Sequence, residues 1–121
     1  MTSIETLSLV LMCPVPLQWV QSWKALRLSD GTKTLSYSGD TQWTDALLPI
    51  ASGADLFIVE CYDYERDLTG HLNWKTIHQR LNDFRARQVM ITHMNPTMLA
   101  RIDEAKAAGV LVAEDGLVLN V

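Results

Sequence analysis

From Lys24 onward, apolar and polar positions recur in blocks separated by turn residues, and each block has its own period. In "KALRLSDGTKTLSYSGD" two short alternating runs flank Asp30-Gly31, which predicts a β-hairpin. Trp43, Leu47, Ile50 and Ala54 then recur at helical spacing, with Pro49 expected to shorten or kink that helix and Gly53 to stop it. "ADLFIVE" is continuously apolar, as in a strand buried on both faces. Trp74, Ile77, Leu81 and Phe84 mark one face of a helix of about four turns, and "QVMIT" reads as the next strand. Asn95-Pro96 supplies an N-cap with proline at the first helical position. Met98, Leu99, Ile102 and Ala105 carry that helix to a stop at Gly109. The ending "GVLVAEDGLVLNV" reads as a terminal β-hairpin turning at Asp115-Gly116, and the N-terminal run "MTSIETLSLVLMCPVP" as a strand ending at Pro14.

Strand, helix, strand, helix, strand is the order of an α/β fold with right-handed crossovers, so the strands that leave their apolar cores at Asp40, Glu60 and His93 should run largely parallel. Parallel strands bring their carboxyl ends to one edge, where open α/β folds place their sites. Those three residues can therefore meet although they are distant in sequence, or can serve as helix caps and loop anchors. An aspartate with a histidine suits a borderline metal such as zinc, whereas a glutamate and a further histidine suit proton transfer. His71, in "TGHLNW", is the natural further histidine because its loop leaves the Glu60 strand. His78, beside Ile77, reads instead as a partly exposed helix histidine.

Composition narrows the class. The chain has 121 residues, 48% of them apolar and 20% charged, enough for one domain with one core. A net charge of −4 argues against an independent, electrostatically driven nucleic-acid binder, leaving only a local basic group of Lys75, Arg80, Arg85 and Arg87. Cys13 and Cys61 make no disulfide framework and fit a reducing cytoplasm. The N-terminal apolar run has no preceding Lys or Arg and no A-x-A cleavage site, carries Glu5, and falls short of the ~20 residues of a membrane span. No glycine-rich phosphate loop follows any strand.

Several segments, taken together, resemble the metallo-β-lactamase-fold hydrolases, in the ribonuclease Z-like and phosphodiesterase-like branch: "YSGDTQWTDAL", "GADLFIVECYDYE", "GHLNW", "QVMITHMNPTML" and the ending "AEDGLVLNV". The resemblance covers about Ala25 to Val121, with residues 1–23 as a divergent N-terminal segment of the same partial domain. It implies the C-terminal half of an αββα sandwich, with a mixed sheet, about three helices and the terminal hairpin. It also implies that Asp40 stands where a carboxylate bridges two metal ions, usually zinc, and that His93 stands where a terminal histidine ligates one of them. His71 would match the histidine that contacts phosphate or protonates the leaving group, and Glu60 the acid that orients it. In the complete family the metals activate a water for attack on a phosphodiester or ester.

The chain departs from that pattern at its centre. The H-x-H-x-D-H signature is absent, and the place of a further histidine ligand holds Leu17; His71, His78 and His93 are the only histidines. Asp40 and His93 are too few for tight zinc binding, so the expectation is the C-terminal portion of a metal-dependent hydrolase, inactive by itself, with Asp40 bonded to backbone N–H groups or water. The alternative is a degenerate, non-catalytic α/β association module. Both faces of the strands carrying Leu35, Tyr37, Phe57, Val59 and Met90 read apolar, which predicts self-association or a need for the missing N-terminal half.

Overall fold

The structure, a computed structural model, describes residues 25–121. The strand expected to end at Pro14, Cys13 and the place of Leu17 lie outside the described residues. Strand β1 (Leu26–Ser29) and β2 (Thr34–Tyr37) are followed by helix α1 (Leu47–Ala51), β3 (Leu56–Glu60), α2 (Trp74–Phe84) and β4 (Val89–Thr92). Two short helices, α3 (Pro96–Leu99) and α4 (Ile102–Ala107), then lead to β5 (Leu111–Val112). The five strands lie in sequence order across a single mixed sheet. Among the described residues only β1 and β2 are antiparallel; β2, β3, β4 and β5 run parallel.

The hairpin forms where Asp30-Gly31 predicted it. Asp30 Oδ1 accepts the N–H groups of Thr32 (2.8 Å) and Lys33 (2.7 Å), and Gly31 takes the positive φ of 93° that the turn demands. Pro49 falls within the first turn of the five-residue α1, where its missing N–H forfeits no helical bond. In α2 the Asn73 side chain accepts the Thr76 N–H at 2.9 Å, and Trp74, Ile77 and Phe84 are buried. The helix has 11 residues, about three turns rather than four. It stops where Arg85 adopts the left-handed conformation.

Two expected elements differ. The helix after Asn95 starts as predicted, with Asn95 Oδ1 accepting the Met98 N–H at 3.0 Å, but it breaks at Arg101, whose φ of −120° leaves the helical region. The Arg101 guanidinium there lies 4.5 Å from the Tyr64 ring centre and bonds Glu104 at 2.9 Å. At the end of the chain the Asp115-Gly116 turn forms, with Leu117 N–H donating to Glu114 O at 3.1 Å. No strand after it pairs back onto β5 among the described residues. Leu119 and Val121 instead pack against Leu35, Leu56 and Met90, since covering an apolar sheet face removes more apolar surface from water than extending an exposed ribbon.

Alternation along the strands divides the core in two. Phe57, Val59 and Ile91 lie on the helical side with Leu47, Ile50, Ile77 and Phe84. Leu35, Leu56 and Met90 form the opposite face, flanked by half-buried Leu28, Ile58 and Leu111. Among the described residues no helix is long and apolar enough to cross a membrane. In the basic group, Lys75, Arg80 and Arg87 each face a carboxylate, at 2.7, 3.6 and 3.9 Å.

Phe57 and Phe84 meet edge to face at 5.0 Å between ring centres, and neither is exposed. Phe84→Ala is expected to lower the stability of the chain by about 3–5 kcal/mol, read from the urea unfolding midpoint.

Candidate functional site

Strand register brings the site together. Tyr37 of β2 pairs with Ile58 of β3, and Ile58 with Met90 of β4, so the three strand exits are nearly level. Asp40 and His93 lie three residues beyond Tyr37 and Met90, and Glu60 two beyond Ile58. The Ser38 hydroxyl fastens the first exit to the second: it accepts the Glu60 N–H at 3.0 Å and donates to Gly39 O at 2.8 Å.

Glu60 is fully buried, yet both of its oxygens are engaged. Oε1 lies 2.6 Å from His71 Nδ1, and Oε2 accepts the Leu72 N–H at 2.9 Å. Burial pushes the Glu60 carboxyl up from its ordinary value, the Leu72 N–H and His71 pull it back, and the Asp40 charge adds to the rise. With Nδ1 held by Glu60, His71 keeps Nε2 as its available ring nitrogen, the arrangement by which a carboxylate sets a histidine's tautomer and orientation. The histidine loop is tied in turn to the Asp40 loop, since Gly70 N–H donates to Gln42 Oε1 at 3.2 Å. A cavity of about 310 Å³ opens beside His71, lined also by Trp43, Leu68, Thr69 and Thr76.

His93 is exposed and has a φ of 59°, in the left-handed region that a non-glycine residue rarely enters. Its ring centre lies 5.7 Å from that of His71, with the planes 18° apart. Tyr62 joins them, stacked on His71 at 4.4 Å and 5.6 Å from His93. Asp40 is exposed at the same edge. Burial raises the Tyr37 phenol, and the charges of Asp40 and Glu60 raise it further. No hydrogen bond to the Asp40 side chain is formed among the described residues, so the backbone donors expected for it are not what holds it. No group of three His, Cys, Asp or Glu able to hold a metal ion occurs among the described residues. An oxygen donor with a nitrogen donor suits zinc in kind, but a zinc site takes about four ligands, and these two alone do not fit a resident ion. His78 stacks on Trp74 at 5.2 Å, away from this edge.

Asp63 had no place in the sequence reading. Its Oδ1 accepts from Asn95 Nδ2 (2.8 Å), Thr97 Oγ1 (2.7 Å) and the Arg66 guanidinium (3.0 Å), and its Oδ2 from Arg66 N–H (2.8 Å). Burial opposes ionisation, but the Arg66, Asn95 and Thr97 bonds outweigh it and hold this carboxyl well below the ordinary range. In sequence, Asp63 sits in "CYDYERD", which reads as a polar loop; the faint signal is an arginine three residues on.

A family model described as the beta-lactamase superfamily domain matches residues 3–94. The chain belongs to the beta-lactamase superfamily. Within it, the chain is similar to "Probable metallo-hydrolase YhfI" of Bacillus subtilis (strain 168), 33% identical over 73 residues, which are 58% of this chain and 30% of that protein. The crystal structure of the metallo-beta-lactamase fold protein YhfI matches with a TM-score of 0.68 and 29% identity over 79% of this chain and 43% of that one. Human tRNase Z, short form, matches in fold with a TM-score of 0.60 at 19% identity, over 80% of this chain and 36% of that one. The chain is thus a metallo-β-lactamase-fold α/β unit that spans less than half the length of these relatives.

Two expectations follow. Because the folded Asp63 carboxyl ionises below its unfolded counterpart, its contribution to stability is present above about pH 4 and is lost as pH falls below it. The urea midpoint of the native chain should therefore drop between neutral pH and pH ~3, and that of Asp63→Asn should drop less. At His93, glycine relieves the positive φ, so His93→Gly should leave the urea midpoint unchanged or raise stability by up to about 1 kcal/mol. His93→Val, β-branched, should lower it by about 1–3 kcal/mol.

Proposed function

We propose that this chain forms one half of a metal-dependent hydrolase active site, acting on a phosphodiester or an ester. The observation that carries this reading is the Glu60–His71 pair at 2.6 Å, with His93 5.7 Å from His71 on a neighbouring parallel strand exit. Structural stability alone gives no reason to place a buried carboxylate beneath one half-exposed imidazole and a second imidazole in a strained, exposed position. In this reading Asp40 and His93 would each supply a ligand to metal ions, zinc being the ion that their oxygen and nitrogen suit, and the remaining ligands would come from outside the described residues. Glu60 holds the His71 ring so that Nε2 can donate a proton to a departing oxygen. The metals would supply an activated water and a counter-charge.

The half-buried Leu28, Ile58 and Leu111 on the sheet face opposite the helices, beside the cover of Leu119 and Val121, support a further layer packed there, either an N-terminal half or a second copy of the chain. This face is also what the alternative reading, a non-catalytic association module, rests on.

Metal content and activity separate these readings. Purified, untagged chain analysed by inductively coupled plasma mass spectrometry should hold substoichiometric zinc that is lost on dialysis. Tightly held ions in the isolated chain would mean that ligands outside the described residues complete the site. When a polypeptide bearing H-x-H-x-D-H is supplied in trans and associates, zinc- or manganese-dependent hydrolysis of bis-p-nitrophenyl phosphate should appear. Asp40→Ala should abolish it, and a chelator should remove it. Activity that survives Asp40→Ala sinks the ligand role of Asp40, and association without any hydrolysis favours the non-catalytic module.

A further inference from the structure

Three loops meet at the carboxyl edge, and one residue is bonded to both of the others from the third. The Tyr62 N–H donates to Leu72 O at 3.1 Å and the Trp74 N–H to Asp63 O at 2.9 Å, which sews the His71 loop to one side of the Tyr62-Asp63 segment. On the other side the Asn95 N–H donates to Tyr62 O at 2.7 Å, while the Asn95 and Thr97 side chains donate to Asp63 Oδ1 at 2.8 and 2.7 Å. We infer that Asp63 is a positioning residue of the site: its buried carboxylate holds the His93 loop against Tyr62 and so sets the stacked approach of His93 to His71. This inference rests on the proposed function for its purpose, though not for its geometry.

The strain at His93 is the reason a clamp is needed. A left-handed non-glycine residue persists only where its surroundings over-determine it. On the strand side, Thr92 O accepts the Cys61 N–H at 2.9 Å; on the far side, Asn95 is bound to both Tyr62 and Asp63. His93 is therefore stretched between two anchored points, and its conformation follows from where they stand. Asp63 is the stronger part of the second anchor, because charge-assisted bonds to a buried carboxylate exceed neutral ones about twofold. The Arg66 partner is different in kind: its side chain is 61% exposed, so its pairing with Asp63 is weakened by solvent. The donors that matter for position are the buried Asn95 and the Thr97 hydroxyl.

Nuclear Overhauser contacts between side-chain rings in the full chain test this. Each variant would be compared at a temperature where unchanged methyl resonances of Leu56 and Ile91 show an intact core. Asp63→Ala should lose the His71–His93 and Tyr62–His93 ring contacts and keep the Tyr62–His71 contact and the hydrogen-bonded Nδ1 proton of His71. Asp63→Asn, which keeps an oxygen acceptor for Asn95 and Thr97, should restore them, and Arg66→Ala should leave all of them in place. Lost stability alone would leave the ring contacts of a folded variant unmoved. If Asp63→Ala does not fold, Thr97→Val serves instead and should shift the His93 ring resonances. Ring contacts that persist in folded Asp63→Ala, or His93 resonances unmoved in Thr97→Val, overturn the inference. The readout needs neither metal nor substrate, so its failure removes the positioning role alone. Association in trans without any hydrolysis would instead count against the catalytic reading.

Discussion

Everything at the edge depends on the parallel pairing of β3 with its two neighbours, because a parallel register fixes where three chain exits stand relative to one another. Hydrogen bonds from Tyr37–Ile58 at one side to Glu60–Thr92 at the other leave no freedom to slide without turning each apolar face outward. The penalty for such a slip is the loss of burial of Phe57, Val59 and Ile91, all of them fully buried beneath the helices. Core packing therefore supplies the rigidity of a site in which Asp40 and His93 stand exposed and His71 is half-exposed. Polar contacts then refine what the sheet has placed: Ser38 across the first two exits, Gln42 to Gly70 between loops, and Asp63 across the last two.

The charges at this edge are arranged unequally. Glu60 is buried and has two partners, so its ionisation is contested; Asp63 is buried with more partners and stays ionised; Asp40 stands in solvent near Tyr37. A carboxylate in solvent with no protein hydrogen bond among the described residues keeps its lone pairs available. One with all its lone pairs bonded is a structural strut. By that criterion the two aspartates have opposite uses, although each follows a strand by three residues.

Much of this was legible in the chain itself. Periodicity located the hairpin, three further strands and the amphipathic α2, and Asp30 and Asn95 turn and cap the chain as their types demand. The level of the strand exits followed from the alternation of strands and helices. What escaped notice depended on tertiary contact. Arg101 ends α3 beside Tyr64, a partner 37 positions away in the sequence, and Leu119 and Val121 choose a sheet face over a ribbon. Asp63 gains its meaning from Asn95 and Thr97, more than 30 positions distant. The lack of H-x-H-x-D-H is a property of the sequence alone.

The left-handed backbone at position 93 also acts as a filter on what evolution can place there. Only glycine, asparagine, aspartate and histidine enter that region at modest cost, whereas β-branched side chains are penalised. Of those four, all but glycine carry an atom able to ligate a metal. The turn at His93 therefore restricts this position largely to side chains that suit the ligand role proposed for it.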